Sequence, residues 1–435
     1  MKQKIQTLFD KDNIKQTLLD TIFILSSLVL SCKVIINQLL LANYDYESFP
    51  ISESLINYQG GFVRRGLFGE ILFFFTKNFN INLEWTIKIF SLIFLVVVCI
   101  FFVKTFKKKG YALYILPLCF FLQPLFMGFF TRRDSLMICI LIAALWAFNN
   151  IKNSIWKISA INLLMIFMLL IHEAFAFFSL PILFLLFISN YRSKGIFLSI
   201  VLSLVSLLPS ISAFLLTLHY HGDMQTAQAM WDSWVAVANL NAAELDEFSH
   251  GGISAIGWNK EWAFRFHFNT NFLSEQFRIV SVFYWSIIIP IVYYIVTNAL
   301  LVFRKNENIF TNKDKTTLSS VLVFQFVCLL PFFLILSCDI ARIFFYWIAS
   351  SFAVFLLIPK EKIEKSFPSF FIQVIERINN GLTNIIRPTK TTIVLFMLFI
   401  GIGPVGFSFE GIIQSSVAGN ILRLFSEILN AFINL

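Results

Sequence analysis

Four short stretches carry side chains that can do chemistry. Gly60-Gly61-Phe62-Val63-Arg64-Arg65-Gly66-Leu67-Phe68-Gly69-Glu70 sets two adjacent arginines among four glycines. Thr131-Arg132-Arg133-Asp134 supplies a second arginine pair beside an acid. His172-Glu173 joins an imidazole to a carboxylate, and Asp339 and Arg342 stand three residues apart. Guanidinium groups fork onto paired oxyanions, so Arg64, Arg65, Arg132, Arg133 and Arg342 are suited to hold a phosphate or pyrophosphate. His172, Glu173 and Asp339 can take a proton from a hydroxyl, His172 most readily because imidazole titrates near neutrality. Each stretch also has a structural explanation. Arg64 and Arg65 can snorkel to lipid headgroups, Asp339 and Arg342 can pair along one helix face, and His172-Glu173 can be a satisfied core pair.

The elements that must position these groups are membrane helices. The chain is 58% hydrophobic with 54 phenylalanines, and only 14% of its residues are charged. Many apolar runs reach about 18 residues, enough to cross a hydrocarbon core. The expected fold is all-α, a polytopic transmembrane bundle of about 11 spans (10–13), with residues 1–435 as one integral membrane domain. Spans are expected at about 21–42, 86–104, 111–130, 158–171, 196–218, 277–303, 317–337, 343–358 and 391–408. Two more end near Asn150 and Tyr191. The pair on either side of His172 is short and contains Pro181, so a re-entrant hairpin is an alternative there. Residues 409–435 read as an outer amphipathic helix or a further short span.

Charge orients the bundle. Roughly two-thirds of the 34 lysines and arginines fall in segments that this topology places on the cytoplasmic side, from Lys2, Lys4, Lys11 and Lys15 through Lys107-Lys108-Lys109 to a basic loop at 360–390. The N-terminus is therefore expected in the cytoplasm. Lysine dominates inside, whereas the basic residues elsewhere are mostly arginines. The four chemical stretches then meet the outer face. Two outer segments accompany them, 43–85 with an interfacial helix at about 62–76, and a large polar loop at 219–275. Five arginines against few nearby acids would make that region strongly positive. The acidic residues Asp45, Glu47 and Glu53 read as loop solvation.

Several classes are disfavoured. The net charge of +9 follows from lysine retention and does not require nucleic acid. No Walker motif or HExxH is present, which disfavours an ATP-driven pump. The six cysteines lie in apolar runs without metal spacing, and His219 and His221 have no clear third ligand near them. No metal and no cofactor are expected. A transporter needs polar groups at the midplane, and Lys33 alone sits deep by position.

Asn57-Tyr58-Gln59-Gly60-Gly61-Phe62-Val63-Arg64-Arg65-Gly66-Leu67, His172-Glu173 with its Phe-rich run and proline, and Asp339-Ile340-Ala341-Arg342 with its aromatics together resemble motifs of oligosaccharide repeat-unit polymerases of the Wzy type. These bacterial inner-membrane proteins build O-antigen or capsule. The resemblance covers most of the chain by layout and only short motifs by residue. It departs at Gly60, where the family often has an acid, and at Ile340-Ala341, where it often has Trp-Gly. The layout is also similar to polytopic glycosyltransferases of the C type, which commonly place a catalytic acid in the first outer loop. The resemblance implies a reaction at the periplasmic face. A glycan on undecaprenyl pyrophosphate is moved to an acceptor repeat unit, with the lipid pyrophosphate leaving. It implies arginines on the diphosphate and a base from His172, Glu173 or Asp339. A flippase and a chain-length regulator are the implied protein partners. Trp231, Trp234, Trp258 and Trp262 become sugar-stacking faces, with interfacial anchoring as the alternative. Two other functions stay open: a polyprenyl-phosphate-dependent transferase of a single sugar, and a flippase of lipid-linked oligosaccharide.

Overall fold

A computed structural model describes residues 45–113, 131–269, 279–304, 306–337, 339–400 and 416–433, with a few isolated positions besides. The expected spans at 21–42 and 111–130 lie almost wholly outside the described residues, as do Lys33 and the end of the span at 391–408. The described residues are helical and contain no strand. Helices α1 (Gly66–Phe79), α2 (Leu83–Lys109), α3 (Asp134–Asn150), α4 (Ser154–Ile171), α5 (Phe175–Tyr191) and α6 (Ile196–His219) form the first half. Helices α7 (Met224–Ala238) and α8 (Lys260–Phe268) belong to the large polar loop. Then come α9 (Ile279–Val302), α10 (Asn312–Pro331), α11 (Ile340–Leu357), α12 (Lys360–Ser366), α13 (Ser369–Ile385), α14 (Lys390–Phe399) and α15 (Val417–Ile433).

Seven of the described helices are long and apolar enough to cross a membrane. They correspond to α2, α4, α5, α6, α9, α10 and α11, while α3 and α14 are apolar but shorter. The molecule is thus a helical membrane protein. Helix α11 is the centre of the packing. Its buried share is 94%, against 33–61% for the other six. Its polar residues Arg342, Ser350 and Ser351 are buried along with its apolar ones, and α11 packs against α3, α5 and α10. Trp347 on α11 donates its indole N–H to the Leu322 carbonyl of α10 at 2.7 Å.

Local signals set the helix ends. Asn82 caps α2 and Asn153 caps α4 through their side-chain oxygens. Thr311 and Asp314 form a reciprocal capping box on α10. Helix α2 stops at Lys107-Lys108-Lys109 and Gly110, the latter in the left-handed region with φ of 72°. Pro181 does not break α5. The helix runs from Phe175 to Tyr191 because the proline removes one ladder bond, while Phe175, Phe178 and Leu183 on either side of it are buried in the core. The re-entrant hairpin is therefore replaced by two full helices joined at His172-Glu173-Ala174. Helix α15 exposes Leu422, Phe425 and Leu429 on one stripe, an amphipathic helix rather than an all-round apolar span.

The first loop holds a helix, α1, whose start differs from the expected one. It begins at Gly66 rather than near 62, because Arg65 takes φ of 66° and ends the preceding turn. Left-handed backbone costs a non-glycine residue about 1–2 kcal/mol. Gly66 and Gly69 then let α1 lie directly on the segment before it. A Cβ at Gly66 would run into the Tyr58 ring, and one at Gly69 into the Ile56 carbonyl. Gly69→Ala is accordingly expected to lower the detergent melting temperature and the folded yield. Gly381→Ala, at an open position in α13, should leave stability unchanged or raise it by about 0.5–1 kcal/mol. Thermal denaturation of both variants checks the contrast.

Candidate functional site

The four chemical stretches converge at one end of the bundle, opposite the end where Lys360 pairs with Asp314 and Lys313 with Glu364 at 3.0 Å. Each arrives on a different element. Arg132 and Arg133 lead into α3, and Asp134 is its first residue. His172 and Glu173 form the turn between α4 and α5. A five-residue π-helical turn (Phe332–Leu336) interrupts the run from α10 to α11, and Asp339 stands just before α11 with Arg342 in its first turn. Such π segments recur at functional sites because they redirect the backbone. Arg64 and Arg65 precede α1. Glu53 arrives on a 3₁₀ turn (Glu53–Leu55).

Their charges alternate. Glu173 receives Arg65 Nε at 2.8 Å and lies 3.7 Å from Arg64 Nη1. Glu53 receives Arg132 Nε at 2.7 Å and lies 3.5 Å from Arg65 Nη1. Asp339 receives Arg132 Nη1 at 2.7 Å and Arg342 Nη1 at 3.2 Å. Asp134 takes a two-pronged bond from Arg342, Nε at 2.8 Å and Nη2 at 2.6 Å, and also the Tyr346 hydroxyl at 2.5 Å. Five arginines thus face four carboxylates. The expected strong positive excess is reduced to about one charge, because Glu53 and Asp134 join the arginines inside the protein.

The candidates divide by access. Arg64, Arg65 and Asp339 keep 20–24% of their side chains exposed and form the opening. Arg64 has the most unused capacity. Its Nε is buried without a hydrogen-bond partner, and its Nη2 reaches the Ala255 carbonyl only at 3.4 Å. Arg133 is spent on backbone: Nη1 donates to the Ile171 carbonyl at 2.7 Å and Nη2 to the Glu53 carbonyl, with Phe68 under the guanidinium. Arg342 and Arg132 are buried within the ion network. His172 is also committed. Its Nδ1 accepts the Ala174 N–H at 3.3 Å, which places the proton on Nε2, and Nε2 lies 3.2 Å from Glu53 Oε1.

Electrostatics fixes the protonation states. Burial alone would raise the carboxyl pKa of Glu173, but Arg65, by charge and hydrogen bond, and Arg64 hold it well below the usual range. Burial opposes Glu53 likewise, and Arg132 and His172 overcome it. Burial and then Arg65 push His172 down from 6.5, against the pull of Glu53. The imidazole is neutral at neutral pH.

The large loop is stitched over this end. Trp234 Nε1 donates to the Leu55 carbonyl at 2.6 Å, Ser52 Oγ accepts the Gly252 N–H at 2.8 Å, and Arg64 N–H bonds the Tyr220 carbonyl at 2.8 Å. Trp231 and Trp234 are fully buried, so they pack the loop and present no stacking face. Trp258 and Trp262 instead join Phe248 and Phe266 in an open aromatic cluster, with Trp258–Trp262 centroids 4.5 Å apart and Trp262 stacked on Phe266 at 5.3 Å. His250 packs on Trp231 and bonds Ser249, apart from His219 and His221. Among the described residues, no group of three or more His, Cys, Asp or Glu is arranged to hold a metal.

Sequence reasoning misplaced Glu53, which stands 1% exposed at the centre of the network instead of solvating a loop. It also passed over Tyr346. The spacing Asp339, Arg342, Tyr346 is i, i+3, i+7 and puts all three on one face, a readable signal. Nothing in the local sequence marks Glu53, since its closest side-chain partners, Arg132 and His172, come from segments far along the chain.

No protein-family model, curated protein or solved structure matches this chain.

Removing one member of a buried ion pair leaves the other uncompensated and costs about 3–5 kcal/mol. Asp134→Ala and Arg342→Ala should each lower the melting temperature sharply, and the double variant by less than the sum of the two. Acidity should act through the same network. A histidine whose folded pKa is lowered loses stability as pH falls below its unfolded value of 6.5, and carboxylates with lowered folded pKa do so below 4.5. The melting temperature should therefore fall from pH 7 to pH 5 and drop further below about pH 4.5. His172→Gln should flatten the upper part of that slope in a pH series.

Proposed function

We propose that this protein polymerises lipid-linked oligosaccharide repeat units of a surface polysaccharide, working at the outer face of a bacterial inner membrane. The observation that carries this reading is the gathering of five arginines from three distant segments at one end of a membrane bundle, with Arg64 and Arg65 at the opening and Arg64 still holding free donors. A lipid pyrophosphate needs such a grip. It is dianionic or more, it enters from the bilayer, and as a leaving group it must be stabilised as charge develops on it.

The buried members supply rigidity. Arg132, Arg133, Arg342, Glu53 and Asp134 fix the segments that carry the exposed ones, so the clamp needs little reorganisation when the substrate arrives. The aromatic cluster of Phe248, Trp258, Trp262 and Phe266 offers apolar faces on which a sugar ring of the acceptor can stack. Undecaprenyl-pyrophosphate oligosaccharide serves as both donor and acceptor, and the chain extends without ATP.

The buried, central position of Glu53 supports a second reading: a polyprenyl-phosphate-dependent transferase of a single sugar that relies on an acid in its first outer loop.

Deletion in the producing strain separates these. A polymerase deletion leaves surface glycan carrying single repeat units, and Arg64→Ala, at normal protein levels, reproduces that pattern. A single-sugar transferase deletion leaves full-length polymer missing one substituent. Loss of all surface glycan, with repeats stranded on the inner leaflet, points to a flippase and rejects both. Electrophoretic glycan profiles read the outcome.

A further inference from the structure

The groups expected to take a proton, His172, Glu173 and Asp339, are committed, and so is Glu53 beside them. Asp339 is bonded by two arginines, Glu173 by Arg65 and Glu53 by Arg132, and His172 directs one nitrogen to a backbone N–H and the other toward Glu53. A carboxylate held by guanidinium is a weak base, because the cation stabilises its charged form. The acceptor hydroxyl needs another partner.

One group of a different element meets the opening uncommitted. His267 lies near the end of α8, which packs on the π-helical turn leading to Asp339. Its Nδ1 is buried and has no hydrogen-bond partner among the described residues. The aromatic cluster flanks it, with Phe266 adjacent and the Trp258 ring centroid at 6.5 Å. The charges that act on it from other elements are those of Asp339, Arg65 and Arg64. On α8 itself, Arg265 and Glu261 pair with each other at 2.6 Å in the open and Lys260 is exposed.

We propose that His267 is the general base that accepts the proton of the acceptor sugar's hydroxyl. The assignment rests on the polymerase reading. The acceptor oxygen attacks the anomeric carbon of the donor glycan as its proton passes to the His267 imidazole. The new C–O bond forms as the bond to pyrophosphate breaks, and that electron pair leaves with the lipid pyrophosphate, held by Arg64 and Arg65. His267 then returns the proton to water. Burial lowers the imidazole pKa from 6.5, Asp339 opposes this, and the two arginines add to it, so the ring is a neutral, lone-pair-bearing base near pH 7. The loop thus contributes both the stacking faces and the base that must lie beside the bound sugar.

Full-length protein in proteoliposomes, given undecaprenyl-pyrophosphate repeat units, tests the assignment. Wild-type chain extension should fall on the acid side as His267 takes up a proton. His267→Ala should slow extension by about 100- to 10,000-fold, keep KM for the lipid-linked donor, lose the acid limb of the pH profile and regain rate with added imidazole. His267→Asn guards against a folding defect by keeping a polar amide without a basic nitrogen and should be as slow as His267→Ala, and Arg265→Ala, exposed on the same helix, should keep the wild-type rate. A His267→Ala protein with wild-type rate and pH profile overturns the assignment. So does a slowed variant that keeps the acid limb and gains nothing from imidazole. A wild-type protein that extends no chain overturns the polymerase reading instead, a distinct result.

Discussion

Burying an ion is the constraint on which the rest of this molecule turns. Each charge withdrawn from water costs several kcal/mol unless an opposite charge or a dipole meets it. Arg132, Arg342, Asp134 and Glu53 are all withdrawn, and none has enough compensation within its own element. Glu53 needs Arg132 from before α3, Asp134 needs Arg342 from α11, and Arg133 needs the carbonyls of Ile171 and Glu53. Satisfying any one of them draws three or four segments to the same end of the bundle. The site is therefore a condition of folding as much as a product of it.

That condition explains several features of the backbone. Helix α11, buried on every side, brings Arg342 to a place where Asp134 and Asp339 bond it. The π-helical turn after α10 and the extended Ser337 that follows it let Asp339 reach Arg132 as well. Arg65 adopts a left-handed conformation, and the bidentate contact with Glu173, Nε at 2.8 Å and Nη2 at 2.5 Å, supplies the interaction that holds it there. Strain of this kind persists where surrounding contacts over-determine the residue.

The two polar segments outside the bundle have different tasks. The first loop contributes Glu53, Arg64 and Arg65 and so belongs to the network itself. The large loop is anchored on the first through Trp234 and Gly252, and its helix α8, which carries Trp262 and His267, packs on the π-helical turn before Asp339. A rigid, charge-matched network beside an aromatic, titratable loop suits the substrate proposed for it, lipid pyrophosphate at one end and sugar at the other.

Much of this is written in the residue types. Apolar runs of membrane length determine helices, and these persist in α2, α4, α5, α6, α9, α10 and α11 because every backbone polar group in such a segment must be paired internally. The arginine pairs and His172-Glu173 announce themselves because charge is rare in so greasy a chain. The glycines around Arg64-Arg65 announce a close approach, which Gly66 and Gly69 make against Tyr58 and Ile56. Tertiary structure alone decided which partners the charges take. Glu53 looks like any loop acid, and Trp231 and Trp234 look like any interfacial tryptophans, until distant segments close over them. The reason is physical: a residue's type fixes the charge or surface it carries, but the energy of that charge depends on neighbours that sequence separation does not reveal.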